Sequence, residues 1–256
     1  MKTVILCGGR GTRMREETEF RPKPLVEVGG KPIIWHIMKT YANYGFDDFI
    51  LCLGYKGEMI KRYFIEMCWR GGSFTITTNE HSRPEFHTET GERWRVTLMD
   101  TGLDTLTGGR IKQIEPYIDG QHFMLTYGDG LCDVDIAQLY DYHKSTGRLA
   151  TLTGVHPVSP FGIIQTDGEA VVGFKEKPVL EDLINGGYMV LDRKVFDYIP
   201  KEDCPFEQQP LHRLATDGQL SVFRHKGFWT AIDTHKDVER VNKLWDTGQR
   251  PWKCWD

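Results

Sequence analysis

The chain has 256 residues, 39% hydrophobic and 12% aromatic, with a formal net charge of −4. Such a chain is long enough for a sizeable α/β core, and its mild negative balance lacks the broad basic field that non-specific nucleic-acid binding needs. No apolar run approaches the roughly 18 residues of a membrane span, and the N-terminus runs straight into a strand pattern without a signal-peptide core. The expectation is a cytoplasmic protein with neither a membrane nor a nucleic-acid partner.

Residues 3–7 form a short apolar run ending in glycines, which predicts a buried strand. Pro32 opens a helix with Ile33, Ile34, Ile37, Met38 and Tyr41 on one face and Gly45 as its stop. Residues 49–53 read as a second buried strand. Met59, Ile60, Tyr63, Phe64 and Met67 mark another amphipathic helix, closed by Gly71-Gly72. Strand, helix, strand, helix with short connections predicts a parallel sheet covered by helices on both faces. After a strand at 74–78, the polar stretch 79–93 reads as a mobile or partner-contacting loop. Residues 95–99 and 122–127 resume the sheet, 136–143 is a helix and 149–155 a strand. Beyond Pro157 the short strands 162–165, 170–174 and 187–191 predict an antiparallel or mixed portion, followed by helices at 210–215 and 238–245. Trp252 and Trp255 mark a tail that packs on the body or on a neighbour.

The six cysteines, Cys7, Cys52, Cys68, Cys132, Cys204 and Cys254, form no C-x-x-C pair, and several lie in apolar runs. Neither a disulfide framework nor a zinc site is expected, and reduced thiols fit a cytoplasm. The nine histidines do not cluster at ligand spacing either.

Leu6-Cys7-Gly8-Gly9-Arg10-Gly11-Thr12-Arg13 follows the first strand directly. Glycines let the backbone approach a phosphate, and successive N–H groups form a concavity for anionic oxygens. Arg13 adds a fork of donors suited to phosphate. In Arg21-Pro22-Lys23-Pro24 two prolines hold Lys23 in a stiff loop. The loop is not G-x-G-x-x-G, which disfavours a dinucleotide site, and it lacks the G-K-[ST] ending of a P-loop. A glycine cluster alone reads better as a surface turn with solvated charges; the glycine turn and the proline-locked lysine are specific in combination.

Asp129 follows the run 122–127 and lies between Gly128 and Gly130. A carboxylate at the carboxyl end of a parallel strand faces the crevice where α/β sheets bind ligands. Magnesium takes hard oxygen ligands, commonly one or two carboxylates plus substrate phosphates. Asp233, after the apolar 228–232, is a second candidate. Asp133 and Asp135 do not complete a calcium loop, because Tyr140 stands where the bidentate glutamate belongs.

Residues 6–13, with Pro22-Lys23-Pro24 and Gly30-Lys31-Pro32, resemble the sugar-phosphate nucleotidyltransferases. Glu16-Glu17-Thr18, Gly54-Tyr55-Lys56-Gly57, Asp100-Thr101-Gly102, Thr107-Gly108-Gly109-Arg110, Thr126-Tyr127-Gly128-Asp129-Gly130 and Pro251-Trp252-Lys253 narrow the likeness to the glucose-1-phosphate cytidylyltransferases, over essentially the whole chain. Cys7 and Arg10 stand where that family often has alanine and leucine, and residues 71–93 match poorly.

The resemblance implies a Rossmann-like, mostly parallel central sheet flanked by helices, with a smaller mixed β/α C-terminal portion. It implies one nucleotidyltransferase domain over 1–256, with 1–155 as the nucleotide-binding core and 156–256 as the sugar-phosphate-binding and C-terminal portion. CTP and a sugar 1-phosphate are the implied substrates, Mg²⁺ on Asp129 and Asp233 the implied cofactor, and a homo-oligomer, a hexamer, the implied assembly. Arg13 and Lys23 would be catalytic, holding the triphosphate and stabilising the transferring α-phosphate. Leu6, Cys7, Gly8, Gly9, Gly11, Thr12, Thr105, Gly109, Arg110 and Gly128 would join them on the nucleotide. Gly162, Glu176, Lys177 and Asn185 would face the sugar 1-phosphate, with Glu207 a weaker addition. Without the family, Glu176-Lys177-Pro178 is an exposed turn, and nothing in the residues separates cytosine from uracil. Use of another sugar phosphate, or of UTP or dTTP, stays open. So does an inert nucleotide-sensing subunit, although such a protein tends to lose Arg13, Lys23 or the aspartates, and this chain keeps all four.

Overall fold

The structure, a computed structural model, describes residues 1–70, 72–75, 85–87 and 91–255. A central sheet of seven strands runs in the order Leu220–Arg224, Ala150–Val155, Ile184–Asp192, His122–Tyr127, Lys2–Cys7, Asp48–Leu53, Arg95–Asp100. Neighbours are parallel except at Ile184–Asp192, which is antiparallel to both His122–Tyr127 and Ala150–Val155.

The period-2 alternation of strand side chains sorts each strand between two cores. In Lys2–Cys7, Ile5 and Cys7 face one cluster while Val4 and Leu6 face the other. The first cluster is covered by helices Ile33–Ala42, Gly57–Arg70, Ile136–Thr146 and His235–Asp246. The second lies under helices Thr107–Gln113 and Gln209–Thr216, through Ile111, Leu211 and Leu214. Asp135 is the N-cap of Ile136–Thr146, its carboxylate accepting from the Gln138 N–H at 2.9 Å. That carboxylate is committed to a helix start.

The C-terminal strands are less separate than their sequence pattern implies. Ile184–Asp192 sits inside the central sheet, and Leu220–Arg224, a strand the sequence did not announce, pairs in parallel with Ala150–Val155. Its alternation is blurred because an edge strand is only partly covered. Ile163–Asp167 and Ala170–Lys175 instead form a hairpin outside the sheet, exposing Ile164, Val171, Val172 and Phe174. The predicted strand at 74–78 is seen as Phe74–Thr75 paired with Glu85–Phe86, and the rest of it, with most of the loop 79–93, lies outside the described residues. No described helix is long and apolar enough to cross a membrane.

The tryptophan tail packs on the chain's own body. Trp252 is fully buried, and its indole N–H donates to His36 Nδ1 at 3.3 Å. Nε2 of His36 lies 2.8 Å from the Val28 carbonyl. One nitrogen therefore accepts and the other donates, the pattern of a neutral imidazole. Burial pushes the His36 pKa down from 6.5 to about 4, and burial shifts His143 the same way. The folded pKa lies below the unfolded one, so the stability contributed by neutral His36 is complete above about pH 6.5 and is lost as pH falls toward about 4. The loss is on the order of 3 kcal/mol. We expect the melting temperature to fall between about pH 7 and about pH 5, and His36→Gln to remove about half of that slope, His143 keeping the rest. A pH-independent melt, or an unchanged slope in the variant, would count against this role.

Candidate active site

From Lys2–Cys7 the chain steps outward to Asp48–Leu53 and Arg95–Asp100, then returns on the other side as His122–Tyr127. Ligands of open α/β sheets bind at the carboxyl ends of the strands where the order reverses in this way. A cleft of about 430 Å³ opens there, lined by Leu6, Cys7, Gly8, Gly9, Gly11, Thr12, Arg13, Lys23, Thr105, Arg110, Tyr127, Gly128, Asp129, Glu207 and Asp233.

Four charged groups meet on its wall. Lys23 Nζ lies 2.6 Å from Asp129 Oδ2 and 2.6 Å from Asp233 Oδ1. Arg13 Nη1 donates to Asp233 Oδ2 at 2.7 Å. Lys23 begins a tight 3-10 turn, Lys23–Leu25, between its two prolines, and only 8% of its surface is exposed. Asp129 follows His122–Tyr127, and Asp233 follows Trp229–Ala231. The short antiparallel ladder of Trp229–Ala231 with Gly130–Cys132, extended by the Ile232 N–H on the Asp129 carbonyl at 2.9 Å, sets the two carboxylates side by side. Two such anions repel at that range, and the lysine between them offsets the repulsion. Arg13 remains 73% exposed at its side chain and is open to an anionic ligand.

Arg110 plays a different part. Only 4% exposed, it spends its guanidinium on five oxygens: Leu53 O (2.9 Å), Thr101 Oγ1 (2.7 Å), Gly102 O (2.8 Å), and Gly8 O and Leu103 O (3.3 Å each). Burial lowers its pKa from the ordinary guanidinium value. The guanidinium thus ties the glycine loop to two strand ends. A side chain at Gly8 would collide with it, so the first glycine of the loop is required by Arg110 as much as by any phosphate.

A second cleft adjoins the first, sharing Arg13, Tyr127, Asp129, Glu207 and Asp233 and adding Asn185, Gly186 and Trp229. The Tyr127 hydroxyl donates to Glu207 Oε1 at 2.5 Å, and Thr107 Oγ1 donates to Glu207 Oε2 at 2.6 Å. Burial, and then the Glu207 charge, push the Tyr127 pKa up, so its phenol stays a donor. Asn185 Oδ1 accepts from the Gly187 N–H at 2.9 Å, leaving its amide nitrogen 3.5 Å from the Tyr127 hydroxyl.

The profile of the Nucleotidyl transferase family matches residues 2–247. The chain belongs to that family. It is 50% identical, over 100% of both chains, to a Bacillus subtilis (strain 168) protein named "Probable glucose-1-phosphate cytidylyltransferase". It is 46% identical, again over 100% of both, to the glucose-1-phosphate cytidylyltransferase of Salmonella typhi. Among solved structures, HddC from Yersinia pseudotuberculosis superposes with a TM-score of 0.70 over 95% of this chain and 99% of that one, at 24% identity, which shows a common fold.

Within this nucleotidyltransferase the sequence-predicted residues divide by place. The glycine loop, Arg13, Lys23, Thr105, Arg110, Gly128, Asp129 and Asp233 converge on the first cleft, and Asn185 and Glu207 on the second. Gly109 packs instead against Asp203, whose carboxylate also accepts the Leu106 N–H. Gly162, Glu176 and Lys177 sit at the base of the exposed hairpin and line neither cleft; the Lys177 side chain is 62% exposed. Tyr127 and Trp229 were not singled out from sequence. Tyr127 carried a signal, being the last residue of a buried strand before Gly128-Asp129. Trp229 carried none, because its N–H on the Gly186 carbonyl (2.8 Å) depends on folding alone.

Proposed function

We propose that this nucleotidyltransferase moves the cytidylyl group of CTP onto α-D-glucose 1-phosphate, giving CDP-glucose and pyrophosphate. The choice of base and sugar is supported by the full-length likeness to the Bacillus subtilis and Salmonella typhi proteins. The chemistry is carried by one observation: Lys23, clamped between two carboxylates and beside Arg13, at the reversal point of the sheet. A phosphate oxygen of the sugar phosphate attacks the α-phosphorus in line, and the bond to the β-phosphate breaks as pyrophosphate leaves. That oxygen is already anionic near neutral pH, so the step requires no general base. Catalysis then rests on positioning and on cations aimed at developing charge. At about 4 Å two unit charges repel by roughly 4 kcal/mol at an effective dielectric of about 20. Lys23 and Arg13 are the protein's counter-charges on the nucleotide side.

Asp129 and Asp233 present hard oxygen donors on one wall of the cleft, both partly exposed to it, and this set fits Mg²⁺. The two aspartates would hold the ion, which supplies positive charge between the phosphates. The glycine loop, with Thr105, Gly109, Arg110 and Gly128, forms the nucleotide side of the proposal. Asn185 and Glu176, with Tyr127 and Glu207, read the sugar hydroxyls, while Lys177 neutralises the sugar phosphate and Gly162 allows close backbone approach. In this reading the chain is a single unit, with 1–155 as the nucleotide core and 156–256 carrying the sugar side. It works as a cytoplasmic homo-oligomer, a hexamer by the family resemblance; the free thiols of the described cysteines fit a reducing compartment, and the exposed apolar hairpin offers a surface for contact between copies.

A matrix of CTP, UTP and dTTP against glucose, galactose and mannose 1-phosphates, read by pyrophosphate release, tests the assignment. CTP with glucose 1-phosphate should give the highest kcat/KM; a higher value for any other pair overturns it. Asp129→Asn is expected to raise the magnesium concentration for half-maximal rate and to depress kcat, each by at least about tenfold. Full activity in EDTA, or an unchanged magnesium titration in the variant, contradicts the carboxylate site.

A further inference from the structure

We propose that Cys132, Asp133 and His225 form a second metal site, distinct from the cleft carboxylates, that takes a zinc-class divalent cation. One donor atom from each residue lies within 4.8 Å of the others. Cys132 is buried, and the His225 side chain is 10% exposed. His225 Nε2 stands 2.8 Å from Asp133 Oδ1, yet that oxygen is shut off from water and has no hydrogen bond of good geometry. The Phe228 carbonyl lies 3.3 Å from the same nitrogen. A buried carboxylate oxygen without a hydrogen bond is costly, and a cation placed among these donors removes the cost.

The backbone builds this site deliberately. Cys132 lies opposite Trp229 in the short ladder, and the Asp133 N–H donates to Phe228 O at 3.1 Å. The His225 N–H on Gly154 O, at 2.9 Å, pins the other side of the turn. A side chain at Gly227 would collide with Asp133 Oδ1 and approach His225 Cε1 to 2.8 Å, so glycine is what lets the turn close over the pair. Sulfur, imidazole and carboxylate are a donor set that selects zinc and rejects magnesium, and three protein ligands leave the fourth position for water. Burial holds the Cys132 thiol protonated, while backbone N–H groups at Asp133 and Val134 favour the thiolate, so metal binding there releases a proton. The bound ion would tie Gly130–Cys132 to the 225–228 turn.

The test uses the full chain, stripped of metal and titrated with Co²⁺ as a spectroscopic probe. Thiolate-to-cobalt charge-transfer absorption should saturate at one equivalent, and Zn²⁺ should raise the melting temperature of the same sample. Cys132→Ser should abolish the band, His225→Gln should weaken Co²⁺ binding at least about tenfold, and Asp129→Asn should leave the band unchanged. If Cys132→Ser does not fold, Gly227→Ala, which crowds the pair and keeps every donor, carries the same comparison. Absence of the band at one equivalent, its persistence in Cys132→Ser, or unchanged Co²⁺ binding in His225→Gln and Gly227→Ala reduces the cluster to an Asp133–His225 ion pair and overturns the proposal.

Discussion

Replacing Lys23 with alanine is expected to lower turnover by at least about 100-fold in a protein that still folds. The side chain is the meeting point of the site, its ammonium 2.6 Å from each of two carboxylates that chain topology forces together. On the proposed mechanism its loss removes a cation aimed at the transferring phosphate. It also leaves Asp129 and Asp233 facing one another with Arg13, on Asp233, as the one remaining cation paired with them among the described residues. The fold should survive, because both carboxylates retain access to water in the cleft and a divalent ion can replace the lost charge. Accordingly, Mg²⁺ should raise the melting temperature of Lys23→Ala by more than that of the parent. Pyrophosphate release at saturating substrates, with melts run on the same samples, checks both parts. A near-normal rate in a folded variant would remove Lys23 from the mechanism.

Much of this arrangement was legible before folding, and the exceptions share a physical cause. The strands at the centre of the sheet are buried on both faces and read as uninterrupted apolar runs, so their positions agree with the structure to within a residue or two. Lys23 announced itself through two prolines, which restrict the backbone whatever surrounds it. Leu220–Arg224 did not, because an edge strand is only half covered. Helix Thr107–Gln113 was missed because Gly108 and Gly109 resemble a turn, and no side-chain cap marks its start. They are glycines because the segment around Asp203 and Cys204 presses on the helix there. The partnership of Asp129 with Asp233, and that of Asp133 with His225, depend on a ladder between distant segments. Local pattern carries no information about such pairings, so only a family resemblance could point to the first, and nothing pointed to the second.

Arg110→Ala is expected to cost at least about 3 kcal/mol of folding stability, and to weaken nucleotide binding as a consequence. The sequence places Arg110 on the nucleotide; the structure turns its guanidinium inward, onto five oxygens from Gly8, Leu53, Thr101, Gly102 and Leu103. Truncation would take from the part-buried Gly102 and Leu103 carbonyls the donor that Arg110 gives them and open a void under the glycine loop. The Gly8 carbonyl keeps the Tyr55 N–H there, and the Leu53 carbonyl keeps Thr101. Arg110→Lys should rescue little, since a compact ammonium cannot present five donors in a planar fork. Urea melts and the KM for CTP distinguish the two roles. If Arg110 acts through the fold, stability and KM change together in both variants, and kcat at saturating CTP recovers most of its parent value. If Arg110→Ala melts like the parent while KM rises, the guanidinium acts on the nucleotide itself and the inward assignment fails.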